Sequence, residues 1–302
     1  MAALTVVQAP DRMVSLPGGA RLAVAEYGDP AGVPVLAFHG APATRLMFGM
    51  ADAAASRLGL RLIAPDRPGC GLSPMTAMPR TLTGHAADMV ALADHLGIAR
   101  IGLIGISGGG PYAAATAARL GKRAMGLALV SPVGPLADGA DVIAMTHLQR
   151  RFFLDLPRHR SLCRAGAGLA SLLFHAAPGA AARLFARLLG GADKGVLMRP
   201  AARDLVVAMT RDALRQGVLG PLVDLEIYGS PWGFDPGAIT APAIVWQGTE
   251  DIVVPAAGAY RLAGLIEGCR LIKLAGAGHF WVLEHVEDVL RDLCGLMREV
   301  PR

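Results

Sequence analysis

The chain alternates between short, mostly apolar runs and longer segments whose apolar residues recur every three or four positions. Val35-Leu-Ala-Phe38, Leu60–Ala64, Ile101–Ile106, Met125–Val130, Ala243–Gln247 and Arg270–Leu274 are the short runs. Their length and the Gly and Pro residues around them predict buried strands. Arg45–Leu58, Thr83–Leu96, Pro111–Leu120, Ala256–Ile266 and Trp281–Met297 lie between or after them and read as helices. Strands that are apolar throughout and alternate with helices predict a mostly parallel sheet flanked by helices on both faces. Ahead of this series, residues 12–27 alternate around Pro17-Gly18-Gly19 and predict a hairpin that pairs Met13–Leu16 with Ala20–Tyr27.

The rhythm stops at Ser131-Pro132. From about Gly134 to Pro236 the pattern offers only helix-like segments broken by Gly and Pro. The expectation is one α/β domain made of residues 1–134 and 236–302, interrupted by a helical lid over residues 135–235. No internal repeat is visible, and no linker separates independent domains. A length of 302 residues with 53% hydrophobic content is enough for a single large core.

Composition narrows the classes. Lys occurs only at 122, 194 and 273, so the positive charge is nearly all Arg, a compositional bias. A net charge of +5 without a basic stripe gives no reason to expect a nucleic-acid partner. Cys70, Cys163, Cys269 and Cys294 are scattered without metal-ligand spacing, and neither a metal nor another cofactor is expected. The N-terminus lacks the pattern of a secretory signal. Ala165–Ala182, the least polar segment, is interrupted by His175 and Pro178 and flanked by Arg164 and Arg183. It predicts an apolar helix pair rather than a membrane span. These readings describe a cytoplasmic monomer or homodimer with no stable membrane insertion.

The candidate chemistry begins at Gly105-Ile-Ser107-Gly-Gly109, between an apolar strand and an Ala-rich helix. A one-step turn from strand to helix crowds the backbone, so its flanking positions need glycine and the central serine is thrust out. Gly108-x-Gly110-x-x-Ala113 also fits a relaxed dinucleotide-binding turn, and this stretch alone leaves both readings open. The second needs an acid near the end of the next strand, and Leu127–Gly134 has none. A serine nucleophile needs a base, and the base an orienting anion. Gly248-Thr-Glu250-Asp251 follows one later strand and Gly278-His279 follows the next, giving the order Ser, Asp, His.

These segments, with His39-Gly-Ala41-Pro42 and Asp66-Arg67-Pro-Gly-Cys-Gly-Leu-Ser73, resemble the motifs of the α/β-hydrolase superfamily over nearly the whole chain. The resemblance implies that Ser107 attacks a carbonyl, His279 acts as base and then acid, and Asp251 orients His279. The G-x-x-D spacing of the family that the chain resembles favours Asp251 over Glu250. Backbone N–H groups of Ala41 and Gly108 would form the oxyanion hole, each worth about 3 kcal/mol in comparable sites. The expected reaction is hydrolysis, through an acyl-enzyme, of an ester or similarly activated carbonyl in a small to medium hydrophobic substrate. Carbon–carbon bond hydrolysis, cofactor-free haloperoxidation, cyclisation or elimination, and a receptor role on the same fold are the alternatives. Phe152, Phe153, Phe174 and Trp232 are candidates to line an acyl pocket or equally to pack inside the lid. His39 is a candidate substrate contact, with packing behind the oxyanion loop the stronger expectation. Asp66 and Arg67 are expected to fix a loop. Arg150, Arg151, Arg158, Arg160 and Arg164 read as a solvated face. His85, His95, His147, His159, His175 and His285 read as surface or lid residues.

Overall fold

The computed structural model describes residues 11–76, 80–137 and 145–299. Eight strands form one sheet: β1 (Arg12–Ser15), β2 (Arg21–Gly28), β3 (Val33–Phe38), β4 (Leu60–Pro65), β5 (Ile101–Ile106), β6 (Ala124–Val130), β7 (Ala243–Gly248) and β8 (Arg270–Leu274). Their spatial order is β1-β2-β4-β3-β5-β6-β7-β8. The expected hairpin is present: β1 runs antiparallel to β2, and β2 antiparallel to β4. Every other pairing is parallel. All six of the strands expected after the hairpin match within two residues at either end.

Side chains alternate across the sheet, as the pleat requires. Leu36, Phe38, Leu103 and Leu129 face α2 (Leu82–His95), α3 (Gly110–Leu120) and α10 (Ala256–Leu265). Val35, Ala37, Ile104 and Val130 face α1 (Asp52–Arg57) and α11 (Val282–Glu299). Both faces are therefore sealed, which explains why the strands read as unbroken apolar runs. The helix expected over Arg45–Leu58 divides into tight 3-10 turns over Arg45–Ala51 and then α1. Thr44 supplies no side-chain cap there, and the Arg45 N–H is drawn instead onto the Asp66 carboxylate at 2.7 Å.

Between β6 and β7 the described residues contain helices and no strand. They are α4 (His147–Arg150), α5 (Arg160–Ala176), α6 (Pro178–Leu189), α7 (Gly191–Leu197), α8 (Pro200–Ala213) and α9 (Leu219–Tyr228), with a single π turn over Arg151–Asp155. The apolar pair expected near Ala165–Ala182 is α5 and α6, parted at Ala177 by Pro178 in the first turn of α6. Among the described residues no helix is long and apolar enough to cross a membrane.

Candidate active site

The nucleophile candidate sits where β5, the central strand, ends and α3 begins. Ser107 has φ 55°, a left-handed conformation that non-glycine residues adopt only under constraint. The flanking glycines make room for it. A Cβ at Gly105 would lie 2.7 Å from the Ala113 Cβ, and one at Gly109 would lie 2.1 Å from the Phe38 carbonyl oxygen. No side chain fits either place, so the strand can turn into the helix within three residues.

β7 and β8 deliver the partners on the loops at their carboxyl ends, beside the β5 end. His279 Nε2 lies 3.0 Å from Ser107 Oγ, and His279 Nδ1 lies 2.7 Å from Asp251 Oδ2. With Asp251 accepting, Nδ1 carries the proton and Nε2 is left to receive one from the serine. Asp251 is itself held: Oδ1 accepts the N–H groups of Val253 and Val254, both at 2.9 Å, and Oδ2 accepts the Gln247 amide at 3.1 Å. Glu250, the competing acid, is exposed. All three residues are buried, with Ser107 8% and His279 7% exposed.

Burial shapes the electrostatics. Burial alone would lower the His279 pKa, but the charge and hydrogen bond of Asp251, helped by Asp193, hold it above the ordinary imidazole value. Burial would likewise raise Asp251, yet the His279 ring and its other donors keep that carboxyl below the usual range. The pair is therefore built to stabilise an imidazolium beside a carboxylate.

A family model described as alpha/beta hydrolase fold matches residues 33–286. The chain belongs to the alpha/beta hydrolase fold family. Its membership makes it an enzyme of the hydrolase class. No curated protein matches the sequence. Among solved structures it is similar to an alpha/beta hydrolase fold protein from Nakamurella multipartita, at 26% identity and TM-score 0.68 over 96% of this chain and 99% of that one. A thermophilic esterase from Thermogutta terrifontis is 23% identical, with TM-score 0.65 over 97% of this chain and 99% of that one. A bromoperoxidase from Bacillus anthracis is 18% identical, with TM-score 0.71 over 96% of this chain and 100% of that one.

In this alpha/beta hydrolase fold the loop after β3 runs beside the nucleophile: a Cβ at Gly40 would meet the Ser107 Cβ at 3.4 Å. Ala41 belongs to that loop and Gly108 follows the serine directly. His39 packs behind the loop. Its Nδ1 bonds the Gly40 carbonyl oxygen at 2.8 Å, its Nε2 accepts the Arg67 N–H at 3.1 Å, and the ring is fully buried. No polar ring atom is left for a substrate. Burial and the neighbouring Arg67 guanidinium hold its pKa well below the imidazole norm.

Asp66 and Arg67 fix the loop, as expected. Asp66 binds Arg45 through the backbone N–H and through the guanidinium at 2.5 Å. Arg67 donates to the carbonyls of His39, at 2.5 Å, and Gly40, at 2.6 Å, and pairs with Asp224 at 2.9 Å. Asp224, fully buried on α9, also accepts the Tyr112 hydroxyl at 2.6 Å and a bond from Arg80. Four residues further along α9, Tyr228 donates to the Gly108 carbonyl at 3.0 Å. A single helix of the insertion thus braces both strips of backbone that border the nucleophile.

The four aromatic candidates divide. Phe153 is buried with Tyr228 and Trp232 in the core cluster, and Trp232 stacks on Phe234 with ring centroids 5.6 Å apart. Phe152 is 45% exposed and forms the wall of a surface cavity with Arg151, Asp155 and Leu162. Phe174 is half-buried on α5. The aromatic ring set against His279 is instead Phe280, at 5.2 Å, itself edge-on to Phe185 of α6 at 6.0 Å.

One histidine departs from expectation. His85 is buried under α2, edge-on to Tyr112 with centroids 4.9 Å apart, and burial beside Arg80 lowers its pKa to about 3. The motif reading lacked the 3.6-residue phase that puts His85 in line with Leu82, Met89 and Leu92 on the inner face of α2. His95, His147, His159, His175 and His285 are exposed, as are the five arginines of the 150–164 segment. Among the described residues no group of His, Cys, Asp and Glu could hold a metal ion. Tyr228, Asp224 and Asp193 were missed because each acts on a loop far away in sequence, and Gln247, four residues before Asp251, because it ends an otherwise apolar run. Asp193 alone carried a local signal: it is the one acidic residue between Asp155 and Asp204.

Proposed function

We propose that this protein is a serine hydrolase that cleaves an ester, or a similarly activated carbonyl, of a small to medium hydrophobic substrate through an acyl-enzyme. The observation that carries the reading is the continuous chain Ser107 Oγ–His279–Asp251, at 3.0 and 2.7 Å, on a serine held at φ 55°. His279 Nε2 takes the hydroxyl proton as Oγ bonds to the ester carbonyl carbon. The oxygen that becomes negative faces the N–H groups of Ala41 and Gly108. Collapse breaks the bond to the alkoxy group, which leaves with the proton from His279. Water then repeats the sequence on the acyl-enzyme, with His279 again as base.

The helices between β6 and β7 act as the lid of this site. Near-complete burial of Ser107 and His279 restricts the closed form to small acyl groups, and the apolar insertion suits a neutral or hydrophobic substrate. The Asp224–Arg67 bond, which passes through the guanidinium to the carbonyls of His39 and Gly40, supports the oxyanion assignment because it fixes the loop that carries Ala41.

Intact-mass spectrometry after fluorophosphonate treatment tests the reading. Wild type gains one adduct and Ser107→Ala gains none; equal labelling of both defeats the assignment of Ser107. An aryl-ester series then follows, with cleavage falling as the acyl chain lengthens. Inertness toward every ester with turnover of a vinylogous diketone would move the protein to carbon–carbon bond hydrolysis.

A further inference from the structure

Asp193 lies in the first turn of α7 and is 2% exposed. A carboxylate sealed in this way needs donors. It finds them on the histidine loop rather than on its own helix. Oδ2 accepts the His279 N–H at 2.9 Å, and Oδ1 accepts the Phe280 N–H at 2.7 Å. The two oxygens thus grip consecutive peptide units at the general base.

The fit depends on Gly278. A Cβ there would lie 2.4 Å from Asp193 Oδ1 and 2.5 Å from its Cγ. Gly278 is not among the glycines with positive φ, so its bare Cα serves clearance and not backbone conformation. A second contact from the insertion reinforces the first, because Phe185 of α6 stands edge-on to Phe280. His279 is accordingly held from two sides: Asp251 orients the ring through Nδ1, and Asp193 orients the main chain that carries it.

We infer that Asp193 is a positioning residue for His279, so that Ser107, His279 and Asp251 are aligned only while α7 is docked on the histidine loop. The inference rests on the proposed role of His279 as base. It makes the insertion a part of the machinery as well as its cover. Asp251, from the β7–α10 loop, and Asp193, from α7, are the charged groups that act on the imidazole, and both favour its protonated form. Loss of the Asp193 charge therefore shifts the His279 titration, and with it the acid limb of serine reactivity, to lower pH.

Two variants separate positioning from scaffolding. Asp193→Asn removes the charge and one of the two acceptors. Gly278→Ala keeps the charge but pushes the carboxylate off the loop, and it remains informative if the first variant folds poorly. The rate of fluorophosphonate labelling is followed against pH, the His279 imidazole is titrated by NMR, and melting curves establish that each variant is folded. In both variants the plateau rate falls by about tenfold or more, and the acid limb and the imidazole titration move together to lower pH. Rates within about twofold of wild type overturn the inference. So does a slower rate with limb and titration unmoved, which marks a scaffold only. If wild type is not labelled at Ser107, the serine-hydrolase reading fails while the NMR titration still decides on Asp193: a shift in Asp193→Asn upholds its grip on His279, and an unmoved titration ends it.

Discussion

Two parts of the insertion meet the core in opposite ways. α9 is tied down by charge: Asp224 is sealed among Arg67, Arg80 and Tyr112, and Tyr228 reaches the elbow itself. The α5–α6 pair is held along narrow lines. α5 buries Cys163 and half-buries only Ala167, Ser171 and Phe174, leaving Leu162, Leu169, Leu172 and Leu173 exposed. α6 exposes Arg183, Leu184, Arg187 and Leu188 and buries Ala182 and Ala186. The apolar helices are thus the loosely held ones, while the firm attachment is ionic and lies next to the site. Hydrophobicity alone is a poor guide to what such an insertion holds on to; small residues allow the close approach here, and a few buried charges fix the geometry.

The sharpest way to break the contrast is Asp224→Ala. It leaves two buried guanidinium groups without their counter-charge, and unfolding by urea should show a loss of about 3–5 kcal/mol. A loss below about 1 kcal/mol would mean that α9 is not the anchor. Acid offers a gentler route. Burial would raise the Asp224 pKa, yet Arg67 and Arg80 hold it below the ordinary carboxylate value. A carboxyl depressed on folding stabilises the protein fully above its unfolded pKa and loses that contribution as pH falls through the folded one. Relative to the intrinsic exchange rate, which itself falls with pH, the protection of α9 amides should therefore drop in acid while that of α5 and α6 stays level; parallel behaviour would erase the distinction. The smallest effect belongs to the exposed leucines. Leu169→Ser or Leu188→Ser should change stability by no more than about 0.5 kcal/mol, and a loss of several times that would show these side chains to be covered.

Much of the fold could be read in the sequence because the sheet is buried on both faces. Ile101–Ile106 can hardly be anything but an inner strand, and the glycines around Ser107 announce the turn that follows. The order of Ser107, Asp251 and His279 was equally legible, since each sits directly after a strand. The supports of the site were not. Asp224 meets Arg67 across 157 positions and Asp193 meets the His279 N–H across 86, and neither pairing leaves a mark on local periodicity. Phe152 and Phe153 show the same limit on a smaller scale. Neighbours in sequence, they sit on opposite sides of one irregular turn, the first exposed and the second in the core.

The position of His279 on the loop after the last strand has a consequence for how the protein is made. During synthesis Ser107 emerges early, between β5 and α3. Its base follows 172 residues later. On the proposed reading, the nascent chain carries an ordinary, unreactive serine until β8 has joined the edge of the sheet, and activation of the hydroxyl coincides with completion of the fold.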